Sequence, residues 1–592
     1  MNFLKTFLAS LLAFVVANLA LGMLAMLVMT GFVMGLATGG GHTTVGPGTV
    51  LKIDLAGAIT DSPVSSPLGS IDFGNFRMKS SNTILQCIEA IDNAAVDDNI
   101  EGIYLTPGWG AVSLANIEEL RAALLRFKES GKFVVSYKEV YTQRDYYLCS
   151  VADKVYMNPE GGIMWQGMAS NVMFYKGLLD KLGIQPEVLR HGSFKAAVEP
   201  FIMDRMSPEN RLQTERLTGS IWGGLVGEIA ASRGIDSALL QRYASELTLR
   251  TPQIALEKGI VDSLVYGDQM MAVLNSLAGN DPDSDDEPDM VTLSEYIGAM
   301  KPVARKLSRN AVAIVYADGE IVDGESFDDK VGGATIAAKL ARVRKDDDVK
   351  AVVLRVNSPG GSALAAEVMW REVELIRQEK PVVVSMGGVA ASGGYYISCP
   401  ADIILADRST VTGSIGVFGL LFNAEKGLRD KLGITVDVAR TNPSADMGVP
   451  FRGLSQGERA YLMDQIEKVY GTFVGHVAAG RNLSVEAVDK IAGGRVWSGT
   501  DALEIGLIDG FGGLKDAIAL AADRAGIADD FRVIQEVDRE DSFVAILRSL
   551  SGARSARMRD ELGDAFVQYS YLKTMLSQQG VQARMPYIIE FQ

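Results

Sequence analysis

The sequence predicts an α/β protein made of two tandem copies of one unit, with a single transmembrane helix ahead of them. Three observations predict it. Short β-branched runs alternate with segments of helical period, the pattern of parallel βαβ units. Ordered matches between the two halves recur at a nearly constant offset, which marks a duplication. A long uncharged run precedes both halves.

That run covers residues 6–37; Lys5 precedes it and the next charge is Lys52. A bilayer is crossed by roughly 20 apolar residues, whereas the apolar core of a signal peptide has about 7–15. No small-x-small cleavage site with a mature start follows, so residues 1–38 read as an uncleaved anchor. Its one flanking charge, Lys5, lies on the N-terminal side, which puts that end in the cytoplasm and the rest outside it.

After the tether GGGHTTVGPG, the segment FVVSYKEVYTQRDYYLCSVADKVYMNP from Phe133 matches VVVSMGGVAASGGYYISCPADIILADR from Val382. Ser136 aligns with Ser385, Tyr146 and Tyr147 with Tyr395 and Tyr396, and Asp153 with Asp402, all at an offset of 249. DKLGI recurs at Asp180 and Asp430, and ALEKGIVD at Ala255 returns as ALEIGLID at Ala502. The predicted domains are therefore 48–278 and 290–540. Residues 279–289, GNDPDSDDEPD, are too charged to bury apolar surface and read as the connector. Residues 541–592 read as a helical extension with no counterpart in the first half.

The chain has 592 residues and a formal net charge of −16, long enough for more than one core. With no Lys/Arg-rich block to neutralise phosphates, nucleic acid is excluded as a partner. Cys87, Cys149 and Cys399 form no CxxC pair or disulfide framework, and no HExxH or carboxylate-rich metal loop occurs, so neither metal nor cofactor is expected. The three histidines, His42, His191 and His476, lack a neighbourhood that marks a catalytic base.

Chemistry points to the corner PVVVSMGGVAASGGYYISCP at 381–400. An apolar strand empties there into small residues around one serine, Ser392, which lets the chain turn sharply and another molecule approach. Tight packing alone would also produce such a corner. The duplication supplies a comparison: Ser392 aligns with Gln143, and Gly393 and Gly394 with Arg144 and Asp145. NSPGG at 357–361 aligns with LTPGW, setting Gly361 against Trp109. Features needed only for packing should survive in both halves, so the asymmetry favours function.

A serine hydroxyl needs a base. With no histidine marked, a lysine remains, and it must be neutral, which burial among apolar groups achieves. HGSFKAAVEPF sets Lys195 among apolar residues, and the aligned TNPSADMGVPF carries Ala445 in its place. Taken alone, Lys195 also reads as a solvated loop lysine. The two losses are nevertheless complementary, one half keeping the serine and the other the lysine.

VAASGGYYIS, RVNSPGG, TGSIGVFG and SFKAAVEPF together resemble the signal peptide peptidase A family of membrane-anchored Ser-Lys peptidases, in its long, duplicated form. The resemblance implies two tandem domains like those of the Clp protease and crotonase superfamily. It also implies a bowl-shaped homotetramer with active sites lining its inside, on the extracytoplasmic face of a bacterial inner membrane. Carried over by residue, Ser392 would be the nucleophile and Lys195 the general base. Ser414 would hold the lysine, and the N–H groups of Gly361 and Gly393 would form the oxyanion hole. The implied activity is endoproteolysis of cleaved signal peptides and other extended apolar peptides. Two other readings remain at this point: an inactive membrane scaffold, and a crotonase-like enzyme acting on an acyl thioester. Retention of the Ser/Lys pair counts against the first, and a location away from coenzyme A against the second.

Overall fold

The two apolar series of the sequence become two parallel sheets in the computed structural model of the chain. It describes residues 45–55, 57–63, 71–72, 77–78, 81–108, 110, 112–282, 287–300, 308–327, 330–537 and 582–584. In the first sheet the strands run in the order Ser263–Leu264, Lys154–Ile163, Phe133–Tyr141, Ile100–Leu105, Thr49–Ile53, Met290–Thr292, every neighbour parallel. In the second, Gly510–Phe511, Ile403–Ala406, Val382–Ala391, Val349–Ser358, Ala311–Asp318 and Arg532–Glu536 follow in that order, again all parallel. The duplication read from scattered identities is thus a duplication of strand order. Val411–Gly413 continues along Val382–Ala391 and pairs antiparallel with Val496–Ser498.

Parallel strands are covered on both faces, which is why AVAIVYA and AVVLRV read as unbroken apolar runs. Side chains alternate between those faces. Ala313, Val315, Ala317, Val352 and Leu354 pack against Leu340 of the helix Gly333–Lys345 and Met369 and Val373 of Ala363–Arg377. Val312, Ile314, Tyr316, Ala351 and Val353 belong instead to the core that holds Ile88, Ile91, Leu120 and Leu124 of the first unit. The helix Leu514–Arg524 joins this core through Leu514, Ala517 and Ile518. One face of the second sheet therefore shares its core with the first unit.

A third sheet draws on both units. Its order is Lys330–Gly332, Glu320–Val322, Gly360–Ser362, Gln582–Arg584, Phe418–Asn423, Gln185–Arg190. The antiparallel pairing of Gln185–Arg190 with Phe418–Asn423, from Arg190 opposite Phe418 to Gln185 opposite Asn423, carries a first-half segment onto the second half.

The structure differs from the sequence reading at two places. Met290–Thr292, expected to open the second domain, is an edge strand of the first sheet, with Val50 N donating to Asp289 O at 2.8 Å. The helix Leu293–Ala299 stays there too, with Tyr296 in the first core. The residues that follow the acidic run thus still belong to the first sheet, and the second sheet's own residues begin at Ala311. At the C-terminus, Gln582–Arg584 is a strand where a helical extension was expected. The expected anchor, residues 1–38, and the apolar segments at 543–550 and 560–576 lie outside the described residues. Among the described residues no helix is long and apolar enough to cross a membrane.

Candidate active site

At the end of Val382–Ala391 the chain turns through Ser392 into the helix Gly393–Ser398. Ser392 holds φ +55° and ψ −112°, a conformation that side-chain-bearing residues rarely adopt. Its N–H donates to Gly413 O at 2.8 Å, which ties the corner to the neighbouring strand. Strain of this kind at a strand-to-helix turn thrusts a side chain away from both elements. In the first half the helix begins one residue earlier, at Gln143, behind the ordinary N-cap Thr142 at φ −75°. Gln143 Oε1 accepts from Gln166 N and Gly167 N at 2.8 and 2.7 Å, and Asp145 bonds Lys138 Nζ at 2.6 Å. The first corner is filled with structural hydrogen bonds.

Lys195 follows the strand Gln185–Arg190 and crosses to the second unit, where it is fully buried. Its Nζ lies 2.8 Å from Ser392 Oγ, 3.0 Å from Ser414 Oγ and 3.0 Å from Ser414 O. Burial holds its ammonium well below the ordinary lysine value. Ser414, at φ +51°, donates its N–H to Arg495 O at 2.7 Å, so the residue that fixes the lysine is itself fixed by backbone. Ser392, Lys195 and Ser414 therefore meet within one chain. Ala445, the lysine's counterpart, is on an exposed stretch.

Gly361 and Gly393 come together beside the serine: a Cβ built on Gly393 would lie 3.3 Å from Gly361 N. One built on Gly361 would lie 1.9 Å from Ile321 O, so no side chain fits there. The aligned first-half position carries Trp109. The histidines are occupied elsewhere. His191 contacts Glu467 at 2.8 Å and stacks on Tyr470; His476 contacts Glu367 at 3.0 Å and stacks on Trp370. His42 lies outside the described residues. All three cysteines are free and buried, and burial pushes the Cys87 thiol up to about 12.

Sequence reasoning missed the seat of the lysine. A Cβ on Gly494 would lie 2.7 Å from both Lys195 Cα and Lys195 N, and Phe194 N donates to Gly493 O at 3.1 Å. Gln213 braces the same turn, donating to Phe194 O at 3.0 Å and accepting from Val496 N at 3.2 Å. The signal was present: at the offset of the ALEKGIVD repeat, Gly494 stands where the first half has Leu247.

A model of peptidase family S49 matches the sequence twice, at residues 126–281 and 374–528, once on each repeat. The chain belongs to peptidase family S49. It is a serine protease. A Clp protease model matches 305–404, the segment that holds Gly361, Ser392 and Gly393. Protease 4 of Salmonella typhi is 38% identical over 513 residues, covering 84% of this chain and 82% of that protein. Protease 4 of Haemophilus influenzae is 36% identical over 439 residues, 72% of this chain and 71% of that one. A chloroplastic serine protease SPPA of Arabidopsis thaliana is 31% identical over 550 residues, 91% and 77% of the two chains. In this S49 peptidase Lys195 falls in the first matched segment and Ser392 and Ser414 in the second.

Proposed function

We propose that this serine protease cuts peptide bonds with Ser392 as nucleophile and Lys195 as general base. The observation that carries the reading is the 2.8 Å contact between Lys195 Nζ and Ser392 Oγ, with the lysine fully buried. A lysine kept neutral by burial has a lone pair for the serine proton. Ser392 Oγ attacks the peptide carbonyl, Lys195 takes the proton and then returns it to the leaving amine. Water hydrolyses the acyl-enzyme by the same route in reverse. Negative charge on the carbonyl oxygen meets the N–H groups of Gly361 and Gly393, each worth about 3–4 kcal/mol in such a site. Ser414 orients the lysine through both its oxygens.

In this reading residues 1–38 anchor the enzyme in the bacterial inner membrane with its catalytic domains extracytoplasmic. Its substrates are cleaved signal peptides and similar extended apolar peptides, and it works as a homotetramer. The uncharged run at 6–37 and the motifs shared with signal peptide peptidase A support this wider assignment. The dyad is tested by labelling the purified enzyme with a fluorophosphonate and following casein hydrolysis. Wild type should carry one adduct, at Ser392, while Ser392→Ala and Lys195→Ala each lose hydrolysis by about 10³-fold or more with the fold intact. Full activity in either variant would end the proposal.

A further inference from the structure

Opposite the turn that carries Gly361, the serine strand bulges. Val356 pairs with Met386 but Ser358 pairs with Ala390, so four steps along Val382–Ala391 match two along Val349–Ser358. Such a bulge re-aims its strand and takes backbone groups out of the ladder. Asn357 sits at this gap, and its side chain replaces the missing ladder bond: Val389 N donates to Asn357 Oδ1 at 3.2 Å, three residues before Ser392. Asn357 Nδ2 donates to Asp61 Oδ2 at 2.9 Å and to Asp318 Oδ1 at 3.0 Å, so both amide hydrogens and the amide oxygen are used. Asp318 lies opposite Asn357 on the neighbouring strand, where Gly319 N donates to Asn357 O at 2.9 Å. Its other oxygen, Oδ2, accepts from Ser62 Oγ at 2.9 Å. Room for the amide comes from Gly387: a Cβ there would lie 3.0 Å from Asp61 Oδ1 and 3.1 Å from Asn357 Cβ. At the offset of 249, Gly387 stands where the first half has Lys138, whose Nζ donates to Pro107 O at 2.5 Å and to Asp145 Oδ2 at 2.6 Å. The half that holds the serine has thus cleared for Asn357 and Asp61 the place that the other half fills with a lysine.

We propose that Asn357 is a positioning residue of this protease: it sets the spacing between the oxyanion turn 357–361 and the serine strand, and hangs both on Asp61 of the lysine's unit and on Asp318. This rests on the Ser392–Lys195 reading with its oxyanion hole. Asn357 itself touches no reacting atom. Gly361 follows it by four residues and Ser392 follows Val389 by three, so one amide fixes the starting point of both segments. A donor in an oxyanion hole acts only at hydrogen-bond distance from the place where charge develops, and a misplacement of about 1 Å costs about 10²-fold in rate. A side chain that cannot both accept and donate here frees the bulge and leaves Asp61 and Asp318 facing each other. Burial and the charge of Asp61 already push the Asp318 carboxyl up to about 6, while Ser62, Asn357 and Arg355 pull it back. Loss of Asn357 therefore strikes the geometry of the turn and leaves nucleophile and base unchanged.

The test measures kcat and KM of the purified full chain on a short peptide anilide, and the Ki of a peptide aldehyde, whose adduct with Ser392 brings an oxygen to the same N–H groups. Asn357→Leu should lower kcat by about 10–100-fold with KM little changed and raise the aldehyde Ki by a similar factor, while fluorophosphonate still labels Ser392. Asn357→Asp has a signature of its own. The new carboxyl has the size of the amide, donates only when protonated, and shares its place with Asp61, Asp318 and the Arg355 guanidinium that Asp61 and Glu119 bind. The ratio of its kcat to that of wild type should fall at least ten-fold as pH rises from about 5 to 9, and taking the ratio cancels the titration of Lys195. This ratio decides the matter should Asn357→Leu fail to fold. A ratio independent of pH, or wild-type kcat in Asn357→Leu, overturns the inference and leaves the dyad standing. Ser392→Ala that still hydrolyses the anilide at the wild-type rate removes the dyad and the inference together.

Discussion

The neutral state that the proposed dyad needs of Lys195 comes at the expense of the fold. An unfolded lysine titrates near 10.4, and burial sets the folded value well below that. Between the two values the unfolded chain binds a proton that the folded chain does not, so stability rises with pH across this window. The penalty disappears above about 10.4 and grows by up to about 1.4 kcal/mol for each unit below it. Lys195→Met keeps the packing and removes the charge problem. At pH 7 this variant should hydrolyse nothing yet unfold at higher temperature, by about 1 kcal/mol or more in stability. Thermal unfolding from pH 6 to 10 should show the gap closing as pH rises; a gap independent of pH would refute the account. Both residues of the proposed dyad stood out in the sequence because the duplication showed each where its counterpart had been lost. The small residues around Ser392 allowed a sharp turn, but the positive φ itself was not legible, and the tie to Gly413 that accompanies it lies on a neighbouring strand.

Strands buried on both faces announce themselves as apolar runs, and both parallel sheets were readable for that reason. The third sheet was not. Gln185–Arg190 and Phe418–Asn423 are short, partly exposed strands from opposite halves, and QAR at 582–584 has no periodicity at all. Pairing decides such strands, as it decided Met290–Thr292, which charge and proline content had assigned to the far side of a boundary. The way the lysine segment seats on the second unit depends on this pairing and on one glycine. Leu247, the counterpart of Gly494, also has a positive φ, but at +50° against +88°, so a side chain at 494 meets both an unfavourable backbone conformation and the close approach of Lys195. Gly494→Ala should push the lysine backbone away from a Cβ with no room, lowering kcat by about 10–100-fold with KM little changed. Unaltered kcat would mean that the segment can shift without moving Nζ.

The two units act as one molecule because charge as well as apolar surface crosses between them. Arg355, fully buried in the second sheet, donates to Asp61, to Glu119 Oε1 at 2.7 Å and to Ser385 Oγ at 2.7 Å. Asp61 and Glu119 belong to the first unit, and Asp61 also accepts from Asn357 Nδ2 at 2.9 Å, beside the turn that carries Gly361. The sequence showed these as unremarkable charges, because their pairing spans more than 200 residues. Burial raises the pKa of Glu119, and Arg355 is the nearby charge that opposes this. Arg355→Met alone would leave two carboxylates buried without a cation and should cost about 3–5 kcal/mol in denaturant unfolding. Adding Asp61→Asn and Glu119→Gln to it should recover part of that loss, because the residue left behind is what costs most. The recovery, read as a coupling energy of about 0.5–3 kcal/mol, measures how strongly the cluster joins the halves. Strict additivity of the three substitutions would show that Arg355 stabilises the second sheet alone, leaving the shared apolar core and the strand pairing of the third sheet to join the lysine's half to the serine's.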